Sequence, residues 1–239
     1  IARALGLGQP ALPIFVFDTD ILKHFPNKQD HRLAFIADAL CNMQTELAKH
    51  GSGVVVVHGR PQELMPKIAS TLGAARIICG ADWEPTSKKR DHEVAQAAEC
   101  EFTALCDHLI LPPDTLLNQS GEPYKVFTPY SRAWRKTATA QHLAEHKVTL
   151  KKDQWATWDA AAKSLRAAGI SVLDPAKGAK TMLKAVGYEY APHEAWPADG
   201  GLKRLRAFIG DQVSTYGKTR DILGDDGTSR LSPYLRFGL

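Results

Sequence analysis

The stretch Leu12-Pro-Ile-Phe-Val-Phe-Asp18 decides the fold. It is an apolar run of strand length that ends in a carboxylate, as a strand buried on both faces of a parallel sheet does. The residues that follow agree with that reading. Over 32–49, Leu33, Ile36, Ala37, Leu40, Met43 and Leu47 recur at spacings of three and four, the pattern of an amphipathic helix. Gly51 and Gly53 close it, and Gly53-Val-Val-Val-Val57 is a β-branched second strand. Pro61 to Leu72 reads as a helix with Pro in its first turn and Gly73 past its end. Ala75-Arg-Ile-Ile-Cys79 is a third strand, residues 88–99 a helix, and Asp107-His-Leu-Ile-Leu111 a fourth strand stopped by Pro112-Pro113. This alternation predicts an α/β, Rossmann-like domain over 1–127 with a parallel sheet and right-handed crossovers.

Such sheets bind ligands beyond the carboxyl ends of their strands. Those ends hold Asp18, His58-Gly59, Gly80-Ala-Asp82-Trp-Glu84 and Pro112. Neither G-x-G-x-x-G nor G-x-x-x-x-G-K-[ST] occurs, so a dinucleotide fingerprint and a P-loop are not supported.

Residues 128–200 are rich in Ala, Lys, Trp and Pro with weak periodicity, and read as a long connection with short helices. From Gly201 a helical pattern returns, with Leu202, Leu205, Phe208, Ile209, Val213 and Tyr216 on one face. Residues 201–239 therefore read as the start of an all-α domain.

Of the 239 residues, 44% are hydrophobic and 23% charged, which excludes global disorder. No run approaches the roughly 20 apolar residues of a membrane span, and no signal-peptide pattern opens the chain. Cys41, Cys79, Cys100 and Cys106 are too few and too scattered for a disulfide framework, and none forms C-x-x-C. Cys41 and Cys79 read as structural, and a reduced, cytoplasmic setting is expected. The nine histidines show no H-E-x-x-H or H-x-x-E-H spacing, so no metal site is expected.

The net charge of +4 divides unevenly. Residues 1–127 carry 12 Lys+Arg against 15 Asp+Glu, or −3; residues 128–239 carry 18 against 11, or +7. The basic half suits either a polyanionic partner or a solvated cationic surface.

The most chemically suggestive segment is Asp225-Asp-Gly-Thr-Ser-Arg-Leu-Ser232. Gly227 permits an unusual backbone angle, Thr228, Ser229 and Ser232 offer hydroxyls, and Arg230 brings a fixed cationic fork. Such a loop holds a phosphate or diphosphate, or else simply caps a helix. Tyr216 suits a ligand contact or a core position. Asp82 and Glu84, two apart at a strand end, suit a ligand-facing pair or solvated loop carboxylates. Ser229 has no evident local base partner and no G-x-S-x-G occurs, so no catalytic acid, base or nucleophile is assigned.

Three blocks of the chain resemble the DNA photolyase/cryptochrome family. They are Leu12-Pro-Ile-Phe-Val-Phe-Asp-Thr-Asp-Ile-Leu22 with the helix of Arg32, then Gly121-Glu-Pro-Tyr-Lys-Val-Phe-Thr-Pro-Tyr130 with Trp134, and finally Tyr216-Gly-Lys-Thr-Arg220 with Gly227-Thr-Ser-Arg-Leu-Ser-Pro-Tyr-Leu-Arg-Phe-Gly238. The resemblance covers essentially the whole chain. It implies an earlier strand before Ile1 and further helices of a flavin domain after Leu239, so the chain is expected to be cut at both ends. It also implies FAD held by Tyr216, Thr228, Ser229, Arg230, Leu231 and Ser232, and contact of Arg220 with ultraviolet-damaged DNA. A second, antenna chromophore is implied at Asp82 and Glu84. It is of the deazaflavin rather than the folate type, because the family's Asn-Glu pair would fall at Thr86-Ser87 and its histidine near Pro26. The implied activity is light-driven repair of cyclobutane pyrimidine dimers by electron transfer from reduced FAD, in a monomer without membrane attachment. The alternative is a cryptochrome-like blue-light receptor with the same pocket; a third reading is a fragment that binds no flavin.

Overall fold

The computed structural model describes residues 2–144 and 150–238. In chain order its elements are α1 (Ala2–Leu5), β1 (Ile14–Asp18), α2 (Thr19–Leu22), α3 (His31–Ala48), β2 (Val55–Gly59), α4 (Pro61–Leu72), β3 (Arg76–Gly80), α5 (Pro85–Ala97), β4 (Glu101–Leu105), α6 (Phe127–Thr137), α7 (Trp158–Ala167), β5 (Val172–Leu173), α8 (Ala179–Ala185), α9 (Gly201–Ala207), α10 (Tyr216–Thr219) and α11 (Ser232–Phe237). They form two compact units, Pro10–Leu64 with Lys151–Leu239, and Ile1–Gln9 with Met65–Leu150.

In the unit containing β1, that strand pairs in parallel with β2, in register from Ile14 opposite Val55 to Asp18 opposite Gly59. The crossover between them runs through α3, whose Leu33, Ala34, Phe35, Ala37, Leu40 and Leu47 are buried. Val54 to Val57 are shielded almost completely. Each such side chain contributes on the order of 1.5–3 kcal/mol over an exposed one, which makes this tetrapeptide the energetic centre of the unit. Asp18 and Asp30 start the next two helices: Asp18 accepts from the Asp20 amide at 2.8 Å, and Asp30 from the Arg32 amide at 2.9 Å. The Arg32 guanidinium bonds the same Asp30 carboxylate and holds it below the usual carboxylate range.

The region 151–200 supplies part of this core. β5 adds an antiparallel edge to β2, with Val56 opposite Leu173 and Val57 opposite Val172. Leu165 of α7 and Met182 and Leu183 of α8 are buried. The entry to β2 is clamped from two directions. The Val54 amide donates to Gln44 Oε1 at 2.9 Å, and Trp158 Nε1 donates to the Val54 carbonyl at 3.0 Å. Gly53 is required there, because a Cβ would sit 2.6 Å from Gln44 and 2.9 Å from Trp158.

In the other unit, β3 and β4 form a separate parallel pair, from Arg76 opposite Glu101 to Gly80 opposite Leu105. Ala69, Ile77 and Val94 are buried together, with Met65 and Phe102 packed against them, and Arg76 forms an ion pair with Glu101.

Three local expectations shift. The fourth strand forms at Glu101–Leu105, not at 107–111. Phe102 brings a side chain that packs on the α4–β3–α5 cluster, whereas Leu109 and Ile110 are exposed. The helix expected over 88–99, α5, begins at Pro85 rather than Lys88. The helix from Gly201 does not run continuously to Tyr216: after Ala207 it widens into a π-turn at Phe208–Gln212, closed by Val213 N–H to Phe208 O at 2.9 Å. No helix among the described residues is long and apolar enough to cross a membrane.

Candidate functional site

The suggestive loop at 225–232 is closed by three contacts. Gly227 is buried against Thr219 of α10, and a Cβ at 227 would lie 2.6 Å from both Cβ and Oγ1 of Thr219. Arg230 sits in the left-handed region at φ 49°, and its Nε pairs with Asp226 Oδ1 at 2.8 Å across the turn. After the loop, Tyr234 of α11 is 1% exposed, donates to the Pro197 carbonyl at 3.0 Å, and meets Phe35 edge to face at 5.6 Å. The loop is thereby pinned at one end to α10 and at the other to α3 and the 196–198 segment.

This closure leaves the chemical groups outward. Leu231 occupies the N-cap of α11 and no side chain caps that helix, so capping does not occupy the hydroxyls. Among the described residues, the side chains of Thr228, Ser229 and Ser232 make no hydrogen bond. Thr228 and Ser232 are exposed and Ser229 half-buried. Tyr216, at the start of α10, is 39% exposed and packs edge to face on Phe208 at 5.9 Å. Arg220, one residue past α10, holds its guanidinium 5.8 Å from the centre of the Tyr216 ring and pairs with Asp221 at 3.3 Å. The structure thus brings Tyr216, Arg220 and the 227–232 loop together through α10. A loop of unpartnered hydroxyls packed on a helix that begins with an exposed tyrosine offers donors for phosphate oxygens.

The sequence reading missed three supports of this arrangement: Asp226 as the partner of Arg230, Gly227 as a contact glycine, and Tyr234 as the anchor. The unusual backbone angle expected at Gly227 falls on Arg230 instead, and Gly227 is needed for its close approach to Thr219; Asp226 and Tyr234 gave no local signal.

At the carboxyl end of β3, Asp82 Oδ1 accepts from the amides of Trp83 and Glu84 at 2.7 and 3.2 Å, and Oδ2 accepts from Ser87 Oγ at 3.0 Å. These bonds start α5 three residues early. Glu84 is the N-cap by backbone only, and its side chain is exposed. Lys88 Nζ lies 5.1 Å over the Trp83 ring. Among the described residues no cluster of His, Cys, Asp and Glu could hold a metal ion.

At the same strand end, Gly80 approaches Asp107, two residues past β4, so closely that a Cβ would lie 2.6 Å from Oδ1. Burial pushes the Cys79 thiol up to about 11, which keeps it protonated and unreactive near neutrality.

The DNA photolyase family profile matches residues 1–148. A deoxyribodipyrimidine photo-lyase of Synechococcus sp. is 28% identical over 245 residues, covering 100% of this chain and 48% of that protein. Among solved structures, a cryptochrome of Synechocystis sp. superposes with a TM-score of 0.68 at 18% identity, over 99% of this chain and 48% of that one. An archaeal photolyase of Sulfolobus tokodaii, solved with two FAD molecules, gives 0.62 at 16% identity, over 96% and 46%. The chain spans about half the length of these relatives.

Proposed function

The chain belongs to the DNA photolyase family, and from that premise we propose that it forms the α/β part and the opening of the FAD domain of a light-driven enzyme that repairs cyclobutane pyrimidine dimers in DNA. The carrying observation is the 227–232 loop. It is closed from behind by Gly227 on Thr219 and by Arg230 on Asp226, with three hydroxyls unpartnered on a loop that packs against α10, the helix Tyr216 begins. That donor set fits the diphosphate and ring of FAD.

In this reading Thr228, Ser229 and Ser232 donate to the diphosphate oxygens, the Leu231 segment supplies backbone, and Arg230 balances phosphate charge. Tyr216 bounds the aromatic part of the ligand. FAD, when bound in its reduced form, supplies the electron that opens the dimer under blue light. The chain's own residues hold and orient it, and none acts as an acid or base.

Arg220 stands beside this loop and meets phosphate of the damaged strand, with Lys203, Arg206 and Lys218 exposed on the same segment. The apolar side chains of Leu202, Ile209 and Val213 are also exposed, at 65%, 57% and 49%. Their exposure supports the reading of 201–239 as the start of a helical domain. On this reading 1–127 is the antenna-side domain and 128–200 the connection. Glu84, with Asp82 shaping its loop, is the contact for a deazaflavin-type second chromophore.

The test is blue-light-dependent reversal of dimers in ultraviolet-irradiated oligonucleotides by the full-length polypeptide, beside FAD titration of the chain. Light-dependent reversal supports repair. A bound flavin without reversal would favour the cryptochrome-like receptor, to which the Synechocystis likeness also corresponds. Absence of flavin in both polypeptides would refute the pocket.

A further inference from the structure

We propose that Asp226 sets which phosphates the 227–232 loop accepts. It admits an internal diphosphate, whose charge is spread over two esterified phosphates, and disfavours a terminal phosphate, which concentrates charge on one. This rests on the flavin reading and adds to it a residue that determines specificity.

The loop is not a cationic trap. Over 216–232 the cations are Lys218, Arg220 and Arg230 and the carboxylates are Asp221, Asp225 and Asp226, a net charge of zero. Two of these acids are paired with two of the cations. Asp221 lies 3.3 Å from Arg220 Nε, and Asp226 Oδ1 lies 2.8 Å from Arg230 Nε. A terminal phosphate carries a charge of about −1.5 to −2 near neutrality. An internal, esterified phosphate carries about −1. A fixed carboxylate repels the extra charge, and like charges placed together exclude a ligand that the donors alone would hold.

Arg230 is held where this repulsion is felt. It is the one non-glycine residue with positive φ among the described residues, at 49°. Glycine takes that backbone angle freely, and an arginine does so at a cost. The strained position nevertheless carries a guanidinium, paired with the carboxylate four residues back. Gly227, between the two, is buried on Thr219, so the turn that joins Asp226 to Arg230 is fixed against α10. The guanidinium has no second partner among the described residues. Its terminal nitrogens are left to donate to a phosphate oxygen while Nε stays against Asp226. A phosphate that meets Arg230 therefore also meets the field of the Asp226 carboxylate. Thr228 and Ser229, inside the same turn, offer uncharged hydroxyls that serve either kind of phosphate and do not discriminate.

Solvent sets the size of the effect. Both partners of the pair are about half exposed, at 48% and 60%. One extra charge at about 6 Å in such a screened setting changes affinity by about threefold to tenfold.

The test is fluorescence titration of the full-length polypeptide, freed of flavin, with FAD and with flavin mononucleotide. The two share the ring system and differ in carrying an internal diphosphate or a terminal phosphate. The expected result is that Asp226→Asn tightens flavin mononucleotide by about threefold to tenfold and changes FAD by less than about twofold. Asp225→Asn removes an equal charge that pairs with no cation among the described residues, and should leave the ratio of the two affinities unchanged. Asp226 is exposed, so its replacement leaves the core intact, and circular dichroism checks this. Weakening of both ligands together in Asp226→Asn would make the residue a clamp of the loop and overturn the proposal. The same shift in Asp225→Asn would also overturn it, by assigning the effect to net charge rather than to the pair. If neither flavin binds the unsubstituted protein, the flavin reading falls and this proposal with it. FAD binding with an unchanged ratio in Asp226→Asn overturns the proposal alone.

Discussion

Gly227 packs on Thr219 with no room for a side chain between them, which sets the loop carrying Thr228, Ser229 and Ser232 directly against α10. A methyl group at 227 would lie 2.6 Å from Thr219 Cβ and Oγ1 and 2.7 Å from its backbone carbonyl carbon. Because one of these atoms is backbone, trimming Thr219 does not relieve the contact. Gly227→Ala should therefore lower FAD affinity by about tenfold or more and expose the loop to limited proteolysis. Thr219→Ala in the same chain should fail to restore it. Flavin titration of the single and double variants reads both, and full restoration by Thr219→Ala would show that side-chain crowding alone is at stake.

Tyr234 anchors the other end of the loop. Tyr234→Phe removes the hydroxyl that bonds Pro197 O and should cost about 1 kcal/mol. Tyr234→Ala also removes a ring packed on Phe35 and should cost about 3–5 kcal/mol. Urea denaturation midpoints check the order. Equal costs for the two variants would mean that the ring packing contributes little.

Arg220 gives a prediction in salt. If it neutralises one phosphate, Arg220→Ala in the full-length protein should reduce the slope of log affinity against log salt by about one unit. The measurement is damaged-DNA binding over a salt series. An unchanged slope removes Arg220 from the DNA contact.

Asp38 and Tyr190 give a prediction in pH. Partial burial pushes the Asp38 carboxyl above the usual range, the Tyr190 hydroxyl that donates to it pulls back, and Asp199 adds repulsion. The folded chain thus binds this proton more tightly than the unfolded chain. Its contribution is fully present below the unfolded value of 3.8 and is lost as pH rises through the folded value. Asp38→Asn should raise stability at pH 7, by less than about 1 kcal/mol because solvent screens the site. The gain should vanish below the unfolded value. Denaturant midpoints at pH 7 and pH 3 decide it.

The thiols should separate by reactivity. Cys106 is exposed, whereas burial lifts Cys79 to about 11. At pH 8 only about one part in a thousand of Cys79 is thiolate. Iodoacetamide should label Cys106 well before Cys79, as read by peptide mass spectrometry; equal rates would contradict the buried environment of Cys79.

The sequence by itself determined the elements whose signal is local. The Val54–Val57 run, the 3.6 period of α3, and the Pro61 and Gly73 bounds of α4 all formed within two or three residues of expectation. The blocks around Asp18, Gly121 and Gly227 likewise pointed to the family, which the profile match over residues 1–148 shows.

Only the tertiary structure decided the rest. The fourth strand was expected at 107–111, and it is the packing of Phe102 on Ile77, Val94 and Ala69 that places it at 101–105 instead. β5 is two residues long, too short for any period, and exists because Val56 and Val57 offer it an edge. Asp82 was legible as a carboxylate at a strand end. That its oxygens accept from Trp83, Glu84 and Ser87 depends on the backbone turn into α5. Tyr234 acquires its role from a partner 37 residues away in the chain. Period and propensity act over a few residues, while burial and closure of a loop are set by contacts that sequence distance conceals.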